Sequence, residues 1–177
     1  MSSPTYIIYN SAMATIAAPV KQPTGTAIRT MMQLKLATGL DARVVAWGCS
    51  FDAPAAITPG IVELIETDVG ATVSTAYAVA DIQTFSNYTA LANTAGASGV
   101  PFNLATTASG FATGAGTEGA TTASRMADVQ QIDPAFSPYG QTWSLAREFD
   151  LTPQRFLRVR ATFGTTTNMI CWVLVEL

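Results

Sequence analysis

The chain contains no histidine. That absence removes the commonest general base and the commonest metal ligand, with every Ser-His-Asp and Cys-His arrangement. Charge is scarce too. Only 12% of residues are Asp, Glu, Lys or Arg, against about 25% in an average domain. The nine basic residues are scattered and the net charge is −3, so no basic footprint for nucleic acid exists. The only cysteines are Cys49 and Cys171, too few for a disulfide scaffold in a chain this long. Each sits in an apolar, strand-like run and reads as a buried thiol acting as a small hydrophobe. A disulfide between them requires neighbouring strands, which spacing alone does not decide. No stretch reaches the roughly 18 apolar residues that span a bilayer. The opening MSSPTYIIYNSAMATIAAPV lacks the basic and apolar regions of a signal peptide. The expectation is a soluble protein, made in the cytoplasm, with no membrane or nucleic-acid partner.

What the chain does have is apolar surface. Hydrophobic residues make up 49% of its 177 positions, which suits one domain with a real core. A surface so poor in charge points to faces that meet copies or partners.

The most informative stretch is residues 155–177, RFLRVRATF-GTTTN-MICWVLVEL. Two apolar runs flank a short Gly/Thr/Asn segment, which predicts a β-hairpin with Phe163 opposite Met169. Period two then puts Leu157, Val159, Ala161 and Phe163 on one face with Met169, Cys171, Val173 and Val175. That face is core. The other face carries Arg158, Arg160 and Thr162, opposite Leu174, Trp172 and Ile170. A strand with one wet side should alternate apolar and polar, and the final run does not. Something must cover Ile170, Trp172 and Leu174. The arginine stems are expected to lie over Trp172. Arg158, Arg160, Ile170, Trp172 and Leu174 are therefore the expected oligomer interface.

Earlier segments read as further short strands. Residues 1–26 hold Tyr6-Ile7-Ile8-Tyr9, an edge strand, then an extended arm with Pro19 and Pro23. Residues 27–177 form a single sandwich domain. Residues 27–37 and 42–51 are strands, and Gly48 inside the second marks a bulge or a close backbone approach. Residues 61–67 form another, of undecided parity, and a short helix is expected at 76–81. Residues 90–124 are rich in Ala, Thr and Gly, with isolated Leu91, Val100, Phe102, Leu104 and Phe111. A disordered linker is one reading, and one or two strands on long loops, ordered mainly by packing on neighbouring molecules, are the preferred one. Residues 125–132 form a strand candidate, and 141–149 carry Trp143, Leu145 and Phe149. About eight short strands without an amphipathic helix predict an antiparallel β-sandwich of jelly-roll type, with an Ig-like sandwich as the alternative.

Chemistry is hard to find. Glu63, Glu66 and Asp68 cluster, and paired carboxylates can serve a glycosidase or a cation site. A strand end reaching solvent explains them better, since no calcium-loop pattern accompanies them. Residues 110–119 (GFATGAGTEG) are Gly-rich but lack the lysine and helix of a phosphate-binding loop. No catalytic residue, cofactor or metal is expected.

Three segments, VVAWGCSFD at 44–52, IVELIETDVGATVSTAYAVADI at 61–82 and REFDLTPQRFLRVRAT at 147–162, carry a resemblance. The chain resembles small virion structural proteins of tailed bacteriophages, particularly those infecting actinobacteria. The resemblance implies a capsid decoration role on the virion surface. It implies a homotrimer bound to the major capsid protein of an assembled phage head. The alternative is a tail or receptor-binding virion protein whose aromatics contact sugars, and a cell-wall hydrolase using Glu63 and Glu66 is a further rival.

Overall fold

A computed structural model describes residues 3–13, 18–52, 58–85, 100–113, 118–136 and 138–177. The chain begins with β1 (Thr5–Tyr9), a two-residue β2 (Gln22–Pro23), β3 (Arg29–Lys35), β4 (Ala42–Phe51) and β5 (Gly60–Thr67). Next come β6 (Val73–Ala76), β7 (Gln83–Thr84) and β8 (Gly110–Thr113). The last are β9 (Ser124–Ile132), β10 (Tyr139–Thr142), β11 (Phe149–Leu151), β12 (Phe156–Thr162) and β13 (Asn168–Glu176). Helix is confined, among the described residues, to single 3-10 turns at Val79–Asp81 and Pro134–Phe136. The first of these falls inside the expected short helix.

Two antiparallel sheets pack face to face. Sheet A runs β10-β4-β13-β1-β7, with β11 also on β4 and β2 on β13. Sheet B runs β6-β8-β3-β12-β5-β9. Eight strands define the topology: β1, β3, β4, β5, β9, β10, β12 and β13. Counted in that order, they lie as first-eighth-third-sixth in sheet A and second-seventh-fourth-fifth in sheet B. One long antiparallel ribbon, its two arms paired first with eighth through fourth with fifth, gives this order when wrapped around a core. That is a jelly roll, and it excludes the Ig-like alternative.

The wrapped ribbon corrects the expected hairpin. β12 lies between β3 and β5 in sheet B, while β13 lies between β4 and β1 in sheet A. They are not partners, and the GTTTN segment carries the chain from one layer to the other. The face assignment survives, because the pleat sets parity whichever strand lies alongside. Leu157, Val159, Ala161 and Phe163 are buried, and so are Met169, Cys171, Val173 and Val175. They meet across the sandwich rather than side by side.

Other expectations resolve in the same terms. β1 is not an edge strand, since two-residue β7 pairs with it on the side away from β13. The parity of β5 is settled with Val62 and Leu64 inward, both fully buried. Within 90–124, Val100, Phe102 and Phe111 pack into the chain's own core, and Leu36 bridges to Phe102. Leu91 lies outside the described residues, as do the rest of 90–99 and 114–117 of that segment.

The core is dense with large side chains. Trp47, Phe102, Phe163, Met31 and Leu64 have essentially no exposed surface. Each such burial contributes about 1.5–3 kcal/mol. Phe163 closes the layer crossing: its ring lies on Gly60 and 5.2 Å from the Phe51 ring.

Candidate functional site

The outer face of sheet A is built by two central strands. On β13, Ile170, Trp172 and Leu174 point away from the core, because Met169, Cys171 and Val173 point into it. On β1, burial of Tyr6 and Ile8 turns Ile7 and Tyr9 outward. The register sets Leu174 opposite Ile7 and Trp172 opposite Tyr9. Such cross-strand aromatic and aliphatic pairs contribute about 0.2–1 kcal/mol each. On the other flank, Trp172 faces Gly48 and Leu174 faces Ala46 of β4. A Cβ at position 48 would come within 2.9 Å of the Trp172 ring and 2.7 Å of the Tyr139 carbonyl oxygen. Gly48 is thus the close approach expected from sequence, leaving room for the indole to lie on the backbone. Ile7, Tyr9, Ile170, Trp172 and Leu174 are all half-buried. The result is a low, apolar surface across the middle of the sheet.

The two arginines sit elsewhere. Arg158 and Arg160 point outward from sheet B, so neither stem covers Trp172. The hairpin that would have joined them does not form. Arg158 is fully buried and offers no surface to a partner. Its guanidinium donates to the Thr30 hydroxyl from Nε at 3.0 Å and from Nη2 at 2.5 Å. Nη2 also bonds the Glu118 carboxylate. Glu118 in turn accepts the Thr30 N–H at 2.5 Å and the Thr30 hydroxyl at 2.7 Å. Burial pulls the Arg158 guanidinium below its ordinary value, and the Glu118 charge pulls it back up. Arg160 pairs with Glu63 on the same face. These are packing ion pairs.

The acidic cluster separates in space. Glu63 faces outward to Arg160, whereas Glu66 faces inward and is buried. Glu66 accepts the Thr152 N–H at 2.7 Å and Arg125 Nη2 at 3.1 Å. Two carboxylates three apart on one strand lie on opposite faces, so they do not flank a common bond. Asp68, past the strand end, accepts from the Thr122 hydroxyl and from the Val69 N–H at 3.0 Å. The Thr122 and Ala123 hydrogen bonds hold its carboxyl down at about 2.

Sequence reading passed over Asp128. It projects from edge strand β9 toward sheet A and accepts from Trp47 Nε1 at 3.0 Å and the Tyr139 hydroxyl at 2.6 Å. A buried indole N–H needs an acceptor, and here the opposite layer supplies it. Burial and this carboxylate raise the Tyr139 hydroxyl well above its ordinary value. Cys49 and Cys171 are direct cross-strand partners, and both are free, buried thiols. The backbone N–H and C=O of Cys171 bond Asn10, on the side away from β4. The cysteines therefore form a non-hydrogen-bonded pair, the closer of the two antiparallel spacings. Burial pushes the Cys49 thiol up to about 12 and that of Cys171 well above its ordinary value. Neither is a nucleophile at neutral pH.

A cleft of about 420 Å³ is lined by Asp41, Ala42, Arg43, Asp150, Leu151, Glu176 and Leu177. Arg43 occupies its polar side, bonded to Glu176 at 3.1 Å and 3.8 Å from Glu148. Among the described residues no group of His, Cys, Asp or Glu is arranged to hold a metal ion. No helix of the described residues is long and apolar enough to cross a membrane. Comparison with known proteins finds no match: no family model, no curated protein and no solved structure matches the chain.

Proposed function

We propose that this protein is a non-enzymatic virion structural component, a decoration protein that binds and stabilises an assembled phage head as a homo-oligomer. One observation carries the reading: the apolar outer face of sheet A, where Ile7, Tyr9, Ile170, Trp172 and Leu174 lie side by side on paired strands. Contiguous apolar surface of this kind marks association sites. The jelly roll adds support by analogy only, since the same fold serves capsid and lectin domains alike. The sequence resemblance to small phage virion proteins points the same way. In this reading the face packs against symmetry mates around a three-fold, and the oligomer seats on the major capsid protein. Binding only the assembled state stabilises that state by mass action.

The test uses heads that lack the protein, mixed with wild type or with an Ile170→Lys/Leu174→Lys variant. Wild type should co-sediment with the heads and raise their disruption temperature, and the variant should lose both effects. Electron microscopy of a labelled copy should show density over capsomers. Density at the tail tip would favour the receptor-binding alternative, and no virion density would overturn the proposal.

A further inference from the structure

The two strand orders β10-β4-β13-β1-β7 and β6-β8-β3-β12-β5-β9 have four ends among the described residues. Three are short: β10 and β6 have four residues each and β7 has two. Short edges are one way proteins avoid unwanted pairing. The fourth is β9, nine residues long. It pairs with β5 from Gly60↔Ile132 to Thr67↔Ser124. Among the described residues, no backbone hydrogen bond leaves its other side.

The edge carries some of the usual guards and lacks others. The segment SRMADVQQI has no proline and no lysine. Its two charges are of opposite sign: Asp128 points inward, and Arg125 stays 47% exposed although its head group reaches back to neighbouring strands. Arg125 lies 4.2 Å over the Phe149 ring and bonds Glu66 and the Asp150 carbonyl. Asp128 is held by Trp47 and Tyr139. Two devices are present, the inward-pointing Asp128 and a bulge at Ala127, since Leu64↔Asp128 is followed by Ile65↔Met126. The bulge leaves 128–132 as a regular run of typical strand length. Exposed apolar side chains flank the open edge on the outer face: Met126 at 47%, Val129 at 50% and Ile61 at 47% exposure.

We infer that β9 is a strand-addition surface and that its occupant is the β9 of a second copy, paired antiparallel about a two-fold axis. The strand has no net charge, so a copy of itself meets no repulsion. A two-fold also places each apolar strip beside its mate, the self-complementary arrangement of an isologous contact. Main-chain hydrogen bonds join the two six-stranded sheets into one. This edge is separate from the sheet A face, so the inference stands or falls independently of a virion role.

Sedimentation equilibrium over a concentration series, with hydrogen exchange on the same samples, tests it. Wild type should reach at least twice the monomer mass, and amides in 124–132 should exchange at least ten-fold slower at high concentration. Met126→Lys/Val129→Lys places charge on two exposed positions. It should keep the wild-type circular dichroism, match the wild-type melting temperature at concentrations where wild type is dissociated, lose the β9 protection and halve the mass. An Ile170→Lys/Leu174→Lys variant should retain the β9 protection. Wild type that stays monomeric overturns the inference. So does an oligomer that the sheet A variant dissociates and the β9 variant does not, an outcome that leaves the virion reading standing. Protection of 124–132 that appears only when another polypeptide is added overturns it in favour of a foreign strand.

Discussion

Arg158 shows what one residue's position can hide. Alternation with Leu157 and Val159 assigns it an outward place on its strand, and it has one. Yet Val69 and Glu118, from distant loops, close over it. Local period reports which side of a sheet a residue takes, and nothing in it reports what is later laid across that side. Breaking a buried pair from one end leaves an uncompensated charge, at about 3–5 kcal/mol. Arg158→Ala should lower stability by that amount in urea unfolding. Arg158→Met with Glu118→Gln, which removes both charges, should recover most of it. Asp68 behaves differently, because it is exposed. Its folded value of about 2 lies below its ordinary 3.8. A depressed carboxyl stabilises the fold above pH 4, and the contribution fades as pH falls toward 2. Asp68→Asn should therefore be less stable than wild type at pH 6, with the gap in urea midpoint closing by pH 2.

At the level of single strands the sequence was a good guide. β4 matches its expected bounds, 42–51, and β9 starts one residue before its expected 125–132. β-branched and aromatic runs broken by Gly, Pro and Asp gave those limits. Gly48 was also legible as a close approach, although its partner was not, since Trp172 lies 124 positions further along (172 − 48). The pair offers a direct check. Gly48→Ala should cost about 1–3 kcal/mol by overpacking. Trp172→Ala should relieve part of that cost, giving a non-additive double-mutant cycle. Relief should be incomplete, because the Tyr139 carbonyl oxygen also stands in the way. If the two changes prove additive in thermal or urea unfolding, the ring does not rest on the glycine.

For the whole molecule, class was readable and connectivity was not. Many short strands without amphipathic helices pointed to a sandwich, and the jelly-roll expectation holds. The error lay in joining β12 to β13, because a short turn between two apolar runs looks alike whether it reverses within a sheet or steps between sheets. The pairing was decided by β3, β5, β1 and β4, all more than 85 positions upstream of β12 (156 − 67 = 89 at the nearest). The same limit applied to the outer face of sheet A: Ile170, Trp172 and Leu174 were placed together from the sequence, but their neighbours Ile7 and Tyr9 were not.

That arrangement also bears on how the polypeptide is made. Both late strands fill central slots, β12 between β3 and β5, β13 between β4 and β1. Until a ribosome has delivered the segment beyond residue 155, each layer has a gap in its middle and greasy strands on either side of it. Neither layer can complete its central pairings before that segment emerges.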